Sequence, residues 1–168
     1  QDLTPFGEYI PLRTLAQSVS PAATRVTNFQ PGTQWVRHHL DGQRFPSIIC
    51  FELLDDDHLR KGMNGVTFAI AQTNNATFGK SAQADQQLQI TQARAAEFGR
   101  EFAVVSTTGW TAQIDSYGRV VKRLERFTPG YLSMSVMGMN GETSASRSSS
   151  RIWAIFFVAL MLVRRRSI

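Results

Sequence analysis

Three apolar runs and one amphipathic segment dominate the hydrophobic pattern in the middle of this chain. The runs cover residues 45–54, 65–71 and 102–106, and their continuous apolar character is typical of strands buried on both faces of a sheet. Between the second and third runs, core-type side chains recur at alternating spacings of four and three. They are Ala84, Leu88, Thr91, Ala95 and Phe98. This spacing predicts a helix over residues 82–98 with a single core-facing stripe.

Capping residues predict where the helices begin and end. Ser81 precedes the amphipathic segment as a candidate N-cap, and Gly99 follows it as the residue that ends the helix. The exposed face of this helix is rich in glutamine and predicts only a structural role. Asp55 to Asp57 predict the start of a short helix that reaches about Lys61. A divalent cation site is the alternative interpretation of these three acids.

Weaker patterns flank these elements. Residues 35–40 predict a strand, and residues 111–115 and 119–124 surround a Ser-Tyr-Gly turn that predicts a β-hairpin. Residues 131–137 alternate and predict one more strand. The predicted order is strands that alternate with helices, followed by the antiparallel strands of the hairpin. This order predicts an α/β layered domain.

The first part of the chain shows no periodic pattern. Pro5, Gly7 and Pro11 predict an irregular, turn-rich segment over residues 1–15. Residues 16–34 are rich in Ser, Thr, Ala, Gln and Pro, and predict a long surface loop. The chain opens without an initiator methionine or a basic leader, and we expect it to be part of a longer protein.

The last part of the chain changes composition twice. We predict an α/β domain over residues 1–137, a Gly/Ser/Asn-rich linker over 138–151, a transmembrane helix over 152–163 and a basic tail over 164–168. Twelve apolar residues span ~18 Å as a helix, short of the ~30 Å hydrocarbon core. Flanking arginines reach the interface from both ends, so a buried or interfacial helix is the alternative. The basic tail predicts a cytoplasmic end and an extracytoplasmic domain.

Charge and cysteine content exclude several classes of function. The net charge is +5, and three of the positive charges are the arginines at 164–166. The remaining charge of about +2 does not predict a nucleic-acid partner. The single cysteine, Cys50, excludes an internal disulfide framework and a Cys-rich zinc site. His38 and His39 are adjacent and point to opposite faces of a strand, so we predict no metal site and no cofactor.

Cys50 stands in the first apolar run, and an acidic stretch that begins at Asp55 follows this run. A strand that delivers one thiol to a turn presents a nucleophile, whereas a lone cysteine also serves as a small buried hydrophobe. The pattern alone leaves both interpretations open. A polar loop over residues 72–81 follows the second run, where open α/β sheets carry their sites. Its Asn and Thr side chains either donate to a substrate carbonyl or satisfy the turn itself.

Several motifs together resemble the C-terminal part of apolipoprotein N-acyltransferase, a membrane-embedded family of the nitrilase (carbon–nitrogen hydrolase) superfamily. The motifs are Pro-Phe-Gly-Glu-Tyr-Ile-Pro at 5–11, Ile-Cys-Phe-Glu at 49–52, Thr-Asn-Asn-Ala-Thr-Phe-Gly at 73–79 and Ser-Thr-Thr-Gly-Trp-Thr-Ala at 106–112. The helix at 87–100 and the apolar segment with its arginine cluster also match. The resemblance implies an α/β fold, a partial nitrilase-like α-β-β-α sandwich followed by one C-terminal transmembrane helix.

The resemblance also implies a chemistry. Cys50 would be the nucleophile of a Glu-Lys-Cys triad, taking an acyl chain from a phospholipid donor as a thioester. The acceptor would be the N-terminal amine of a diacylglyceryl-lipoprotein, at a bacterial inner membrane. Glu8 and Glu52 would be supporting acids. Asn74, Asn75 and Phe78 would contact substrate.

The sequence departs from the family pattern in two ways. Asn75 and Thr77 stand where many members have Asp and Trp, which affects the expected acceptor or lipid contacts. The triad Glu and Lys have no counterpart in this chain, so we predict that the chain alone is inactive. Two other functions remain as alternatives: a nitrilase-type amidase that passes the acyl group to water, and a membrane-anchored interaction domain with a structural Cys50.

Overall fold

Among the residues that the structure describes, six strands form one mixed sheet in which spatial order follows chain order. The structure is a computed structural model that describes residues 8–20 and 28–148. Its strands are β1 (Arg37–Leu40), β2 (Gln43–Ile49), β3 (Ala69–Thr73), β4 (Phe102–Ser106), β5 (Ala112–Ile114) and β6 (Val120–Arg123). The pairs β2–β3 and β3–β4 are parallel, and the outer pairs are antiparallel. The α/β class predicted from the sequence is therefore confirmed.

Two helices make the crossovers that parallel strands require. Helix α2 (Asp56–Met63) joins β2 to β3, and helix α3 (Gln83–Phe98) joins β3 to β4. The five predicted stripe positions of α3 are its buried residues, which confirms the periodicity. Gly99 ends the helix in the left-handed conformation at φ 60°, as predicted. The predicted cap Ser81 is wrong: the N-cap is Ala82, with no side-chain cap hydrogen bond.

The core lies between one face of the sheet and these helices. Ile48, Ala71, Val104 and Ala112 stand in register across β2, β3, β4 and β5, and all four are buried. A second register row joins Ala69, Phe102 and Ile114, which are completely buried. The opposite face remains open among the described residues, where Ile49 and Val105 are each about half exposed.

Four charged side chains tie α2 to α3. Asp56 Oδ2 accepts a hydrogen bond from Arg60 Nε (3.2 Å), and Asp56 Oδ1 accepts one from Arg94 Nη1 (2.9 Å). Glu97 accepts from both arginines. Each of the four is partly buried, where ion pairs are less screened by salt than at the surface. This charge cluster fixes the two crossover helices against each other.

The first apolar run is shorter as a strand than its pattern predicts. The run was predicted to be one strand over residues 45–54, but β2 ends at Ile49 and a 3-10 helix, Cys50–Leu54, follows. Apolar periodicity does not separate a buried strand from a buried helical turn of similar length. Asp55 caps α2 by accepting from the backbone N–H of His58 (2.9 Å), which confirms the capping interpretation of the acidic run.

The strand at residues 35–40 belongs to a hairpin that the pattern did not reveal. β1 and β2 are joined by Asp41 and Gly42, at φ 48° and 74°. Two positive φ values are typical of the hairpin turn that Asp-Gly favours. The predicted hairpin over 111–124 forms as β5 and β6. The predicted strand at 65–71 lies at Ala69–Thr73 instead.

The predicted strand at 131–137 does not form. Side chains bond this segment in place of a ladder: Gln113 Nε2 donates to the carbonyl of Ser135 (2.7 Å) and Glu101 Oε2 accepts from the N–H of Met137 (3.0 Å). An extended segment held by side chains keeps the alternating pattern of a strand without its pairing.

Regular structure also appears inside three predicted irregular segments. Helix α1 (Arg13–Val19) runs from the end of the turn-rich segment predicted over 1–15 into the loop predicted over 16–34, so both predictions are wrong there. Helix α4 (Ser144–Arg147) lies in the predicted linker, where Thr143 caps it by accepting from the N–H of Ser146 (2.9 Å) and donates to the carbonyl of Glu97. The described residues divide into two units after Val36.

The predicted transmembrane helix at 152–163 and the basic tail at 164–168 lie outside the described residues. Within residues 8–20 and 28–148, no helix has the length and apolar character needed to cross a bilayer. The transmembrane part of the fold prediction is therefore unsupported, and the predicted domain boundaries stay predictions.

Asp115 in the β5–β6 turn provides a test of this hairpin. Burial alone would raise the pKa of Asp115, but hydrogen bonds from the N–H of Arg119 and of Tyr117 (each 2.9 Å) and from Arg119 Nε (2.7 Å) hold it below its ordinary value. A lowered pKa gives stability that is present above the unfolded-state pKa of about 3.9 and lost as pH falls through the folded-state pKa.

We therefore expect Asp115→Asn to lower the free energy of unfolding by roughly 0.5–1.5 kcal/mol at pH 7. The difference from the unmutated chain should shrink below about pH 4. Urea denaturation at pH 7 and pH 3 measures both values. Asp41→Asn, in the β1–β2 turn, is the matched control; equal behaviour of the two variants would contradict the assignment.

Candidate active site

Cys50 is the first residue after β2 and has a left-handed backbone, at φ 44°. A side chain at this φ costs roughly 1–2 kcal/mol relative to the right-handed region. Strained non-glycine residues of this kind cluster at functional sites. The turn brings the thiol out at the carboxyl end of the strand, half-buried, in the way that sharp strand-to-helix turns present nucleophiles.

Glu52 holds this turn in place. Its Oε2 accepts a hydrogen bond from the backbone N–H of Ile49 (2.7 Å), and the residue is only 7% exposed. His58 Nε2 lies 3.5 Å from Glu52 Oε1. A buried carboxylate needs such partners to offset its lost hydration. The predicted supporting acid thus contacts the backbone on the strand side of Cys50.

A hydrogen-bonded network of side chains adjoins the thiol on its other side. Gln87 Nε2 donates to Cys50 Sγ (3.8 Å), and Gln87 Oε1 accepts from Asn75 Nδ2 (2.7 Å). Thr73 Oγ1 lies 2.7 Å from Asn75 Oδ1 and 4.0 Å from Cys50 Sγ. One hydroxyl hydrogen serves one acceptor, so the shorter contact to Asn75 takes it. The network orients Gln87 toward the sulfur.

The far end of the network depends on a glycine. Ser106 Oγ donates to Asn75 Oδ1 (2.7 Å) and accepts from the N–H of Gly109 (2.9 Å). A Cβ at Gly109 would lie 2.6 Å from Asn75 Oδ1 and 2.7 Å from Ser106 Oγ. Only glycine permits this approach. β3, β4 and α3 therefore meet at Asn75, which is 2% exposed.

An apolar cavity of about 170 Å³ opens beside the thiol. Its lining includes Cys50, Phe51, Leu54, Phe78 and Ile90. Three glutamines of α3 border it, Gln83, Gln86 and Gln87. A mainly apolar cavity with a few polar groups beside a nucleophile is the usual form of a small-molecule site.

The structure brings together some of the residues that the sequence predicted and not others. Cys50 and Phe78 line one cavity, and Asn75 belongs to the network. Asn74 accepts from the N–H of Ala76 (3.1 Å) and from Thr107 Oγ1 (2.9 Å) at the exposed loop. Glu8 lies in the first unit, where its carbonyl accepts from the N–H of Phe29 (2.9 Å). The roles predicted for these residues stay predictions.

Gln87 is the site residue that the sequence interpretation missed. Helix α3 was predicted to be purely structural, yet Gln87 contacts both the thiol and the Asn75 network. The sequence contained one signal for this role. Gln87 directly precedes the stripe residue Leu88, and a residue in that position borders the buried face of the helix. Helical periodicity does not reveal which loop side chain meets it.

No group of three or more His, Cys, Asp or Glu residues that could hold a metal occurs within residues 8–20 and 28–148. His38 stacks on Phe45, with ring centroids 5.3 Å apart. Among the three adjacent acids, Asp55 caps α2 and Asp56 pairs with arginines.

The fold defines the class of protein. The chain is similar to an amidase from Nesterenkonia sp. AN1, with a TM-score of 0.56 and 15% identity over 82% of this chain and 54% of that chain. A variant of this amidase described as belonging to the nitrilase superfamily matches with a TM-score of 0.51. A glutamine-dependent NAD+ synthetase from Acinetobacter baumannii matches with a TM-score of 0.55 over 61% of this chain and 21% of that chain. The mixed α/β sheet thus matches the fold of these nitrilase-like proteins over part of their length.

Sequence comparison finds relatives that share one name. An apolipoprotein N-acyltransferase of Mycolicibacterium smegmatis is 33% identical over 160 residues, which are 95% of this chain and 27% of that protein. The enzyme of that name from Nitrosomonas europaea is 32% identical over 95% of this chain and 33% of its own length. No family model matches the chain. The resemblance to apolipoprotein N-acyltransferases is thus confirmed over about 95% of the chain, which spans 27 to 34% of the relatives' lengths.

The left-handed backbone at Cys50 gives a prediction about stability. Gly adopts positive φ at no steric cost, so Cys50→Gly should be more stable than Cys50→Ala by about 1 kcal/mol. The melting temperature of the glycine variant should be about 2–4 °C higher. Thermal denaturation of the two variants side by side measures this difference. A higher melting temperature for the alanine variant would contradict backbone strain at Cys50.

The contact between Gln87 and the thiol gives a prediction about reactivity. Gln87→Glu replaces the donor by a carboxylate of nearly the same shape, which repels the thiolate that reacts with alkylating agents. We expect iodoacetamide to modify Cys50 roughly tenfold more slowly, the effect of about 1.4 kcal/mol of repulsion. Gln86→Glu, one residue earlier on the same cavity rim, is the control; an equal slowing in both variants would contradict a specific contact.

Proposed function

We propose that the protein to which this chain belongs is an apolipoprotein N-acyltransferase with Cys50 as its nucleophile. The observation that carries this proposal is the left-handed turn that presents the thiol beside an apolar cavity. Phe51, Phe78 and Ile90 offer aromatic and aliphatic walls suited to an acyl chain. The similarity to proteins of that name over about 95% of the chain also supports it.

The reaction consists of two acyl transfers. The general base, supplied from outside this chain, takes the proton of the Cys50 thiol as the sulfur attacks the ester carbonyl of a phospholipid. The S–C bond forms, the C–O bond breaks, and the same proton passes to the leaving oxygen of the lysophospholipid. The N-terminal amine of a diacylglyceryl-lipoprotein then attacks the thioester, the N–C bond forms and the thiol leaves with a proton. Such a sequence gives ping-pong kinetics. Backbone N–H groups at the turn after Cys50 are the proposed donors to the tetrahedral oxyanion.

Supporting roles follow from the geometry around the turn. Glu52 fixes the strand side of Cys50 through the N–H of Ile49. Asn75 positions Gln87 at the sulfur, and Phe78 contacts the bound acyl chain. Asn74 at the loop and Glu8 on the first unit are assigned to substrate contact and acid support only through their family motifs. The triad Glu and Lys belong to parts of the protein outside this chain.

The setting of the site is also proposed. The half-exposed face of the sheet, with Ile49 and Val105, suits the second sheet of an α-β-β-α sandwich supplied by the rest of the protein. The apolar segment at 152–163 spans the bacterial inner membrane, with the catalytic domain on the extracytoplasmic side. This arrangement places the cavity near its phospholipid donor.

The test uses the full-length protein in phospholipid vesicles that carry an alkyne-tagged acyl chain. We expect a tagged thioester on Cys50 by mass spectrometry and transfer of the tag to a diacylglyceryl lipopeptide. Cys50→Ala should abolish both signals. Ile90→Glu, which places a charge in the cavity, should lower acyl loading at least about tenfold. Release of ammonia from small amides without lipopeptide acylation would support the amidase alternative instead.

The isolated 168-residue chain provides a second measurement. Because the triad Glu and Lys are missing, we expect its lipopeptide acylation to equal that of its own Cys50→Ala variant. Turnover above this control would show that the chain carries its own general base. That outcome would overturn the triad assignment but leave the nucleophile in place.

A further inference from the structure

A second and larger cavity lies at the opposite edge of the sheet from Cys50. Its volume is about 610 Å³. The start of β2, the end of α2, the loop before β3, the end of α3 and the segment at 140–146 form its wall. Arg44, on its rim, precedes Cys50 by six residues of extended chain, which corresponds to about 20 Å. The cavity is therefore separate from the candidate active site.

The charges that line this cavity are unbalanced. Four cationic side chains and one acidic side chain face it: Arg44, Arg60, Lys61, Arg100 and Glu142. Two of the cations are already used in the structure. Arg60 pairs with Asp56 and Glu97, and Arg100 is 8% exposed and donates to the carbonyls of Val66 (2.8 Å), Phe98, Gly99 and Gly141.

The other two cationic side chains, Arg44 and Lys61, lack such contacts within the described residues. The guanidinium of Arg44 and the ammonium of Lys61 make no hydrogen bond or ion pair within the described residues, and both side chains are exposed. The carboxamides of Asn64 and Asn140 line the same cavity and likewise make no hydrogen bond there. Two cations and two amide donors thus surround one open volume.

Helix chemistry explains only part of this arrangement. Basic residues in the last turn of a helix complement its dipole, and this accounts for Arg60 and Lys61 in α2. Arg44 comes from a strand, and its guanidinium lies within about 4 Å of the position that a Cβ on Gly65 would occupy. An excess of positive charge therefore remains after the helix ends are satisfied.

Arg100 adds a second indication. Burial lowers the pKa of Arg100 below its ordinary value, and the negative charge of Glu142 opposes this shift. A bound anion would act in the same direction as Glu142 and offset the cost of burying the guanidinium. The fixed carbonyl contacts of Arg100 hold the cavity wall in shape without competing for a ligand at Arg44 or Lys61.

We propose that this cavity binds a phosphate group through Arg44 and Lys61, with Asn64 and Asn140 as neutral donors. A phosphate offers several acceptor oxygens around one centre, which suits donors converging from a strand, a helix end and a loop. Arginine binds phosphate in bidentate geometry and lysine binds it as a point charge. A free phosphate ester and a phospholipid headgroup share this chemistry. The site goes beyond the proposed acyl transfer and does not depend on it.

The test is a calorimetric titration of the full chain in neutral detergent at fixed ionic strength. The probes are inorganic phosphate, glycerol 3-phosphate and dihexanoyl phosphatidylglycerol. We expect saturable binding of at least one probe, weakened at least about tenfold in the double variant Arg44→Gln/Lys61→Gln. Binding of all three probes assigns the bare phosphate as the recognised group, and binding of the lipid alone assigns the headgroup.

The control removes two positive charges elsewhere. It is the double variant Arg119→Gln/Lys122→Gln. Both residues belong to the β5–β6 hairpin, and neither lines the cavity. An equal loss of affinity in this variant would attribute binding to net charge and overturn the proposal, as would the absence of binding by all three probes. The exposed single variant Lys61→Glu repeats the test if the double variant has a lowered melting temperature. Alkylation of Cys50 by iodoacetamide should be unchanged in each variant.

Discussion

The hydrogen bond from the backbone N–H of Ile49 to the Glu52 carboxylate is the constraint on which the rest of the site depends. It ends β2 and begins the 3-10 helix one residue later. The left-handed backbone of Cys50 persists because this bond and the packing of Leu53, 2% exposed, overdetermine the turn. Without the carboxylate, a non-glycine residue at this φ would relax toward the right-handed region. The acid thus acts on Cys50 through the backbone.

Crossover geometry then determines what surrounds the thiol. Parallel pairing of β2, β3 and β4 aligns their carboxyl ends, so Cys50, the loop after Thr73 and Ser106 reach the same edge of the sheet. Helix α3 delivers Gln87 to this edge, and Arg94 of the same helix is anchored by the carbonyl of Leu53 (3.0 Å). The charge cluster between α2 and α3 therefore serves the site, because it sets the position of the helix that carries Gln87.

The two edges of the sheet have opposite chemistry. The carboxyl edge carries a thiol, neutral amides and an apolar cavity, which suit an acyl group. The amino edge carries the charges of Arg44 and Lys61, which make no ion pair among the residues that the structure describes and which suit an anion. Carboxyl ends of helices lie at the amino edge in this topology, and their negative dipole attracts basic side chains there. Topology therefore places a basic surface at that edge, and Arg44 adds charge beyond what the helix ends require.

The sequence by itself determined the α/β class, the extent and buried face of α3, the cap at Asp55 and the identity of the nucleophile candidate. Each rests on a local signal: periodicity, a capping side chain or a motif. Tertiary structure alone decided where β2 ends, because a buried carboxylate and not apolar pattern stops that strand. It also decided that residues 131–137 stay unpaired and that Gln87 meets the thiol. The last two outcomes depend on partners distant in sequence, and the first depends on a carboxylate contact that apolar periodicity does not reveal.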